Sequence, residues 1–159
     1  MTSSLTRISW PRVRDTARAL ASLQVSAERR LFVTVCLLAP WVRVLMRLPL
    51  TRLNRIVLAL ARPSRGPLEI TPERLAQIVE LAQDCAHPFV RAGCLTRGVT
   101  LLWILRRRGV DVALVFGIGG PEDEFQGHCW LVREGKPYLE RRPFGDRFIE
   151  QFRIPAVAG

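Results

Sequence analysis

The sequence predicts an α+β fold, with helices first and a small antiparallel sheet after them. Three observations predict it. Helical periodicity with recognisable start and stop signals runs to Arg108. Short runs rich in β-branched residues begin at Val110. The turn signals Gly119-Gly120-Pro121 and Glu134-Gly135-Lys136-Pro137 then separate those runs. The length of 159 residues suits one domain with a substantial core.

Residues 1–11 read as loose and 12–24 as a basic helix. A helical pattern runs from Glu28 to Arg47, bent near Pro40. Within it, Leu31-Phe-Val-Thr-Val-Cys-Leu-Leu-Ala-Pro-Trp-Val42 is apolar but too short for a span of about 20 residues. It is expected to be a buried helix, with peripheral membrane contact as the weaker option. Pro49 ends the pattern. Residues 51–61 form the next helix, with Leu53, Ile56, Val57 and Leu60 on one stripe and Arg52, Arg55 and Arg62 on another. Pro63-Ser-Arg-Gly-Pro67 is a linker. The organisation expected is a basic, apolar helical region over 1–66 and an enzymatic core over 67–159, joined as one compact unit.

Thr71 suits an N-cap, Pro72 the first helical position, and Glu73 the positive end of the helix dipole. Leu75, Ile78, Val79, Ala82, Cys85 and Ala86 share a face, and Pro88 stops the helix. Gly93 precedes a second well-marked helix opening at Cys94. Leu95, Val99, Leu102 and Leu105 line one side, three arginines close it, and Gly109 is the stop. Val110–Ile118 reads as a strand and Glu122-Asp123-Glu124 as a loop. His128–Arg133 is a second strand and Tyr138–Arg142 a third. The tail from Pro143 carries no clear pattern.

The net charge of +10 is uneven. Residues 1–62 hold eleven arginines against Asp15 and Glu28, a net of +9. The simplest reading is a solvated face, with a docking surface for a partner or membrane as the alternative. Few aromatics interleave with these arginines, so a nucleic-acid platform is not expected. The cysteines, at 36, 85, 94 and 129, form no Cys-x-x-Cys pair, and the histidines are His87 and His128. No zinc site and no cofactor is expected. The absence of an evident secretory address suits free thiols in a reducing cytoplasm.

Cys36, Cys85 and Cys129 lie inside apolar patterns and read as small hydrophobes. Cys94 instead opens its helix, where the dipole lowers a thiol pKa and the first-turn amides lack intrahelical acceptors. Its own N–H can donate to an oxyanion, with Gly93 and Leu95 as the flanking near-site positions. His128 on the following strand suits a general base. The base needs an orienting acceptor. Glu140 shares a face with His128 if the intervening hairpin has a three-residue loop, and lies on the opposite face if the loop is even. Asp146 is the alternative acid. Cys129 is expected to point away from the site into the core by strand alternation.

The stretch Cys94-Leu-Thr-Arg-Gly-Val-Thr-Leu-Leu-Trp-Ile-Leu-Arg-Arg-Arg-Gly-Val110, followed by Gly127-His128-Cys129-Trp130-Leu131-Val132, resembles the leader peptidases of lasso-peptide biosynthesis. These are transglutaminase-like, papain-related cysteine hydrolases, and the similarity spans roughly residues 70–142. It implies Cys94 as nucleophile, His128 as proton shuttle and Glu140 as orienting acid, with a precursor peptide as substrate. It further implies a separate winged-helix leader-binding protein, since a fused module has no room before the helices here, and an ATP-dependent, asparagine-synthetase-like cyclase acting on the freed core. Two positions depart from the family pattern: Glu140 stands where Asp is usual, and Cys129 where Ala is common. Other functions on the same scaffold are a transglutaminase or amidase, or an inactive adaptor.

Overall fold

The computed structural model describes residues 26–45, 47–60, 70–85, 93–119, 126–140 and 147–155, together with Ala21 and Leu23. The expectations for residues 1–20, the 63–67 linker, His87, the acidic loop at 122–124 and Asp146 lie outside the described residues. The described elements are α1 (Ser26–Leu45), α2 (Leu50–Leu60), α3 (Pro72–Cys85), α4 (Cys94–Arg107), β1 (Ala113–Gly119), β2 (Gln126–Arg133), β3 (Lys136–Tyr138) and β4 (Phe148–Ile154). This is an α+β fold, with helices packed on a four-stranded antiparallel sheet of order β3-β2-β1-β4.

Local chemistry explains most helix boundaries. The Arg74 amide donates to Thr71 Oγ1 at 3.3 Å, the capping bond expected at the mouth of α3. At the end of α4, Gly109 takes φ +78°. Its N–H donates to the Arg106 carbonyl, and the Val110 N–H reaches back to that of Leu105. This glycine stop satisfies carbonyls that the last turn leaves open. Helix α1 runs through Pro40 rather than ending there. Pro40 is exposed and removes one intrahelical bond, while Val35, Ala39 and Val42 anchor both sides of it in the core.

The apolar run of α1 is not buried all round. Val33, Leu37, Trp41 and Val44 face outward at 53–67% exposure. The opposite face joins one continuous core with Leu53 and Val57 of α2, Leu75, Val79 and Ala82 of α3, Leu101, Leu102 and Leu105 of α4, and Leu114 and Leu131 of the sheet. Glu28, nearly buried, forms an ion pair with Arg74 at 2.7 Å and ties α1 to α3.

The sheet corrects the third strand and fills the tail. Arg133 pairs with Lys136, so β2 and β3 are joined by the two-residue turn Glu134-Gly135, both at positive φ. Two such residues match the strand twist that a tight hairpin requires. Strand β3 ends at Tyr138 because Leu139 adopts φ +58°, a left-handed conformation that breaks the ladder. Beyond it, β4 returns to pair with the free side of β1, and Phe116 stacks on Phe152 at 4.4 Å.

Candidate active site

One close approach sets α4 against the sheet, and a second, within the sheet, makes room beside His128. A Cβ on Gly98 would stand 2.5 Å from Leu114 Cδ1 and 3.7 Å from Cys129 Sγ, so the missing side chain lets this part of α4 lie close to β1 and β2. Gly98 is one turn after Cys94, which brings the mouth of α4 beside Cys129. A Cβ on Gly117 would stand 2.6 Å from the Trp130 ring, so that glycine makes room for the indole beside its strand partner His128.

Cys94 is the first residue of α4, and Gly93 caps it in an extended conformation without a side-chain bond. The space where a Gly93 side chain would project is open. Leu95 packs partly buried against the core, which leaves its contribution to the site to the backbone. The amides of Cys94 and Leu95 belong to the first turn, where no intrahelical acceptor exists.

The Cys94 thiol is lowered to about 5. Hydrogen bonding from the Cys129 side chain is the largest cause. Burial works against it, and the Cys129 backbone N–H and His128 add to it. Cys129 itself is pushed upward, by its bond to Cys94 and then by burial, so it remains a protonated donor. This corrects the expectation for Cys129. Alternation does put it in the core, on the helix-facing side with Leu131, but that side is also where Cys94 enters.

His128 stacks against Trp130 at 5.9 Å and leans on Phe148 of β4 at 5.0 Å. These rings limit its rotation. Its Nε2 stands 3.7 Å from Glu140 Oε2, beyond a hydrogen bond but within ion-pair reach of a protonated ring. Burial pushes the Glu140 carboxyl up, while Arg97 and then His128 pull it down.

Arg97 organises this acid. It sits three residues after Cys94. Its Nε donates to Glu80 at 2.8 Å, its Nη1 to Glu140 at 3.4 Å, and its Nη2 to the Leu139 carbonyl. All three side chains are at most 17% exposed. In the sequence this arginine is one residue of the stretch that carries the family resemblance, and nothing local pairs Glu80, on α3, with the turn after β3. Phe148 was missed because its strand lies in the tail that showed no clear pattern. Among the described residues, no three His, Cys, Asp or Glu side chains gather as a metal would require.

A helix-borne thiol against a sheet-borne imidazole is the layout of a papain-like or transglutaminase-like core. The model of the transglutaminase-like superfamily matches residues 35–151, most of the chain. The chain belongs to the transglutaminase-like superfamily. Members of this superfamily include cysteine peptidases and acyltransferases. No curated protein and no solved structure matches the chain. The superfamily match begins within α1, so it takes in the helices on which α4 packs as well as the site-bearing half.

Proposed function

We propose that this protein is a cysteine endopeptidase that removes the leader from a ribosomally made lasso-peptide precursor. The observation that carries the reading is the Cys94 thiol, depressed to about 5 at the mouth of α4 with His128 beside it and Glu140 behind His128. The resemblance of the Cys94-Leu-Thr-Arg and Gly-His-Cys-Trp segments to lasso leader peptidases supports the choice of substrate.

In this mechanism the Cys94 thiolate attacks the scissile carbonyl carbon, and the first-turn amides receive the developing oxyanion. With Nε2 turned to Glu140, Nδ1 of His128 serves Cys94 and the leaving group. The imidazolium gives its proton to the departing amine, which becomes the core N-terminus. The leader remains as a thioester on Cys94. Water then attacks, His128 takes its proton, the C–S bond breaks, and the leader leaves as a carboxylic acid while the Cys94 thiolate and the imidazolium are restored. Arg97 and Glu140 position His128. No metal or cofactor takes part. A separate winged-helix protein presents the leader, and an ATP-dependent cyclase closes the freed core in the cytoplasm.

Mass spectrometry of the precursor incubated with the protein and the leader-binding protein tests this. The expected products are free leader and free core, absent with Cys94→Ala. Superfamily membership equally accommodates acyl transfer to an amine. Amine incorporation without cleavage would replace the peptidase reading with a transglutaminase one, and full maturation with Cys94→Ala would leave an adaptor.

A further inference from the structure

We propose that the outward face of α1 docks in the plane of an anionic lipid surface. Val33, Leu37, Trp41 and Val44 are 55%, 67%, 64% and 53% exposed. At about 3.6 residues per turn they fall within one narrow arc of the helix. Exposed Pro40 lies beside them, and exposed Arg29 and Arg30 occupy the same side at the N-terminal end. The middle of this face, from residue 31 to residue 42, carries no charge at all. Isolated exposed apolar residues are ordinary, but a stripe of four along three helical turns is a surface shaped for burial.

Charge selects the occupant. Between residues 26 and 60 the only acidic residue is Glu28, which is nearly buried and held by Arg74. Every exposed charge described there is an arginine: Arg29, Arg30, Arg47, Arg52 and Arg55. A second copy of this chain would bring like charges together. An anionic headgroup layer complements them, while the acyl boundary accepts the apolar stripe and suits the amphipathic indole of Trp41. No described helix is long and apolar enough to cross a membrane, so the contact lies in the interface plane. The other face of α1 is packed in the core, so the helix meets the surface already formed.

Co-sedimentation of the full chain with vesicles tests the proposal. Binding is expected with phosphatidylcholine–phosphatidylglycerol vesicles and not with phosphatidylcholine alone, and should weaken as salt rises. The Leu37→Glu/Trp41→Glu double variant, with unchanged circular dichroism, should partition at least about tenfold less. Brominated acyl chains should quench wild-type fluorescence more than that of Trp41→Phe. No binding to the anionic vesicles at low salt would overturn the proposal, as would equal binding by the double variant. A wild-type oligomer that the double variant dissociates, without lipid binding, would give the face to a protein partner instead. Leader cleavage is not the readout, so failure of the peptidase reading leaves this result distinct.

Discussion

His128 Nε2 and Glu140 Oε2 stand 3.7 Å apart although the hairpin turn between them has two residues, the parity that places them on opposite faces of a regular hairpin. The ladder pairs Leu131 with Tyr138. Continued, it would oppose Cys129 to Glu140 and turn the carboxylate away from His128. It is not continued. Leu139 is left-handed, which ends β3 and redirects the chain, and Arg97 holds both the Leu139 carbonyl and the Glu140 carboxylate in the new path.

Glu140→Gln is therefore expected to lower kcat by about 10²-fold or more, with a smaller change in KM and an altered pH profile. Asp146→Asn should leave the rate near wild type. Steady-state kinetics on the precursor decide this, and the reverse pattern would move the orienting role to Asp146.

Thiolate reactivity should persist into acid. Alkylation of Cys94 by iodoacetamide is expected to show a midpoint near 5, read by mass spectrometry across pH. Cys129→Ala removes the foremost donor and should move that midpoint upward. A thiol lowered on folding stabilises the fold in its ionised form. That contribution is full above the unfolded value, about 8.5, and is lost as pH falls through about 5. Acid unfolding of Cys94→Ser should lack this component.

Arg97→Ala removes the cation that two largely buried carboxylates share, and removing one partner from such a pair costs about 3–5 kcal/mol. Urea denaturation should show a loss of this order. Arg97→Lys keeps the charge but not the three-way fork, so it should recover part of the stability and less of the rate. Equal behaviour of the two variants would reduce Arg97 to a bare charge.

Gly98→Ala sets helix propensity against packing. Alanine gains about 1 kcal/mol within a helix, but its methyl would meet Leu114 Cδ1 at 2.5 Å, and Leu114 is wholly buried. Overpacking of this kind costs about 1–3 kcal/mol. Net destabilisation with slower Cys94 alkylation is expected, and Leu114→Val should relieve both. A stabilised Gly98→Ala protein would show that α4 can retreat from the sheet at little cost.

The sequence by itself determined the α+β order, the cap at Thr71, the cysteine at the mouth of α4 and the stop at Gly109. Each depends on local signals: periodicity, a side-chain oxygen at a helix start, or a glycine free to take positive φ. It also singled out Cys94 among four cysteines, because only that one opens a helix. Tertiary structure decided the rest. Sequence alternation read Cys129 as merely buried, whereas the close approach at Gly98 makes it the chief donor to Cys94. Loop parity could not bring Glu140 to His128. One left-handed residue and an arginine from another element did. The apolar run of α1 suits a buried helix, with peripheral membrane contact as the weaker option, and packing used one face and left the other open. Such outcomes depend on which elements meet, and a single chain's periodicity records only that a face is apolar, not what will cover it.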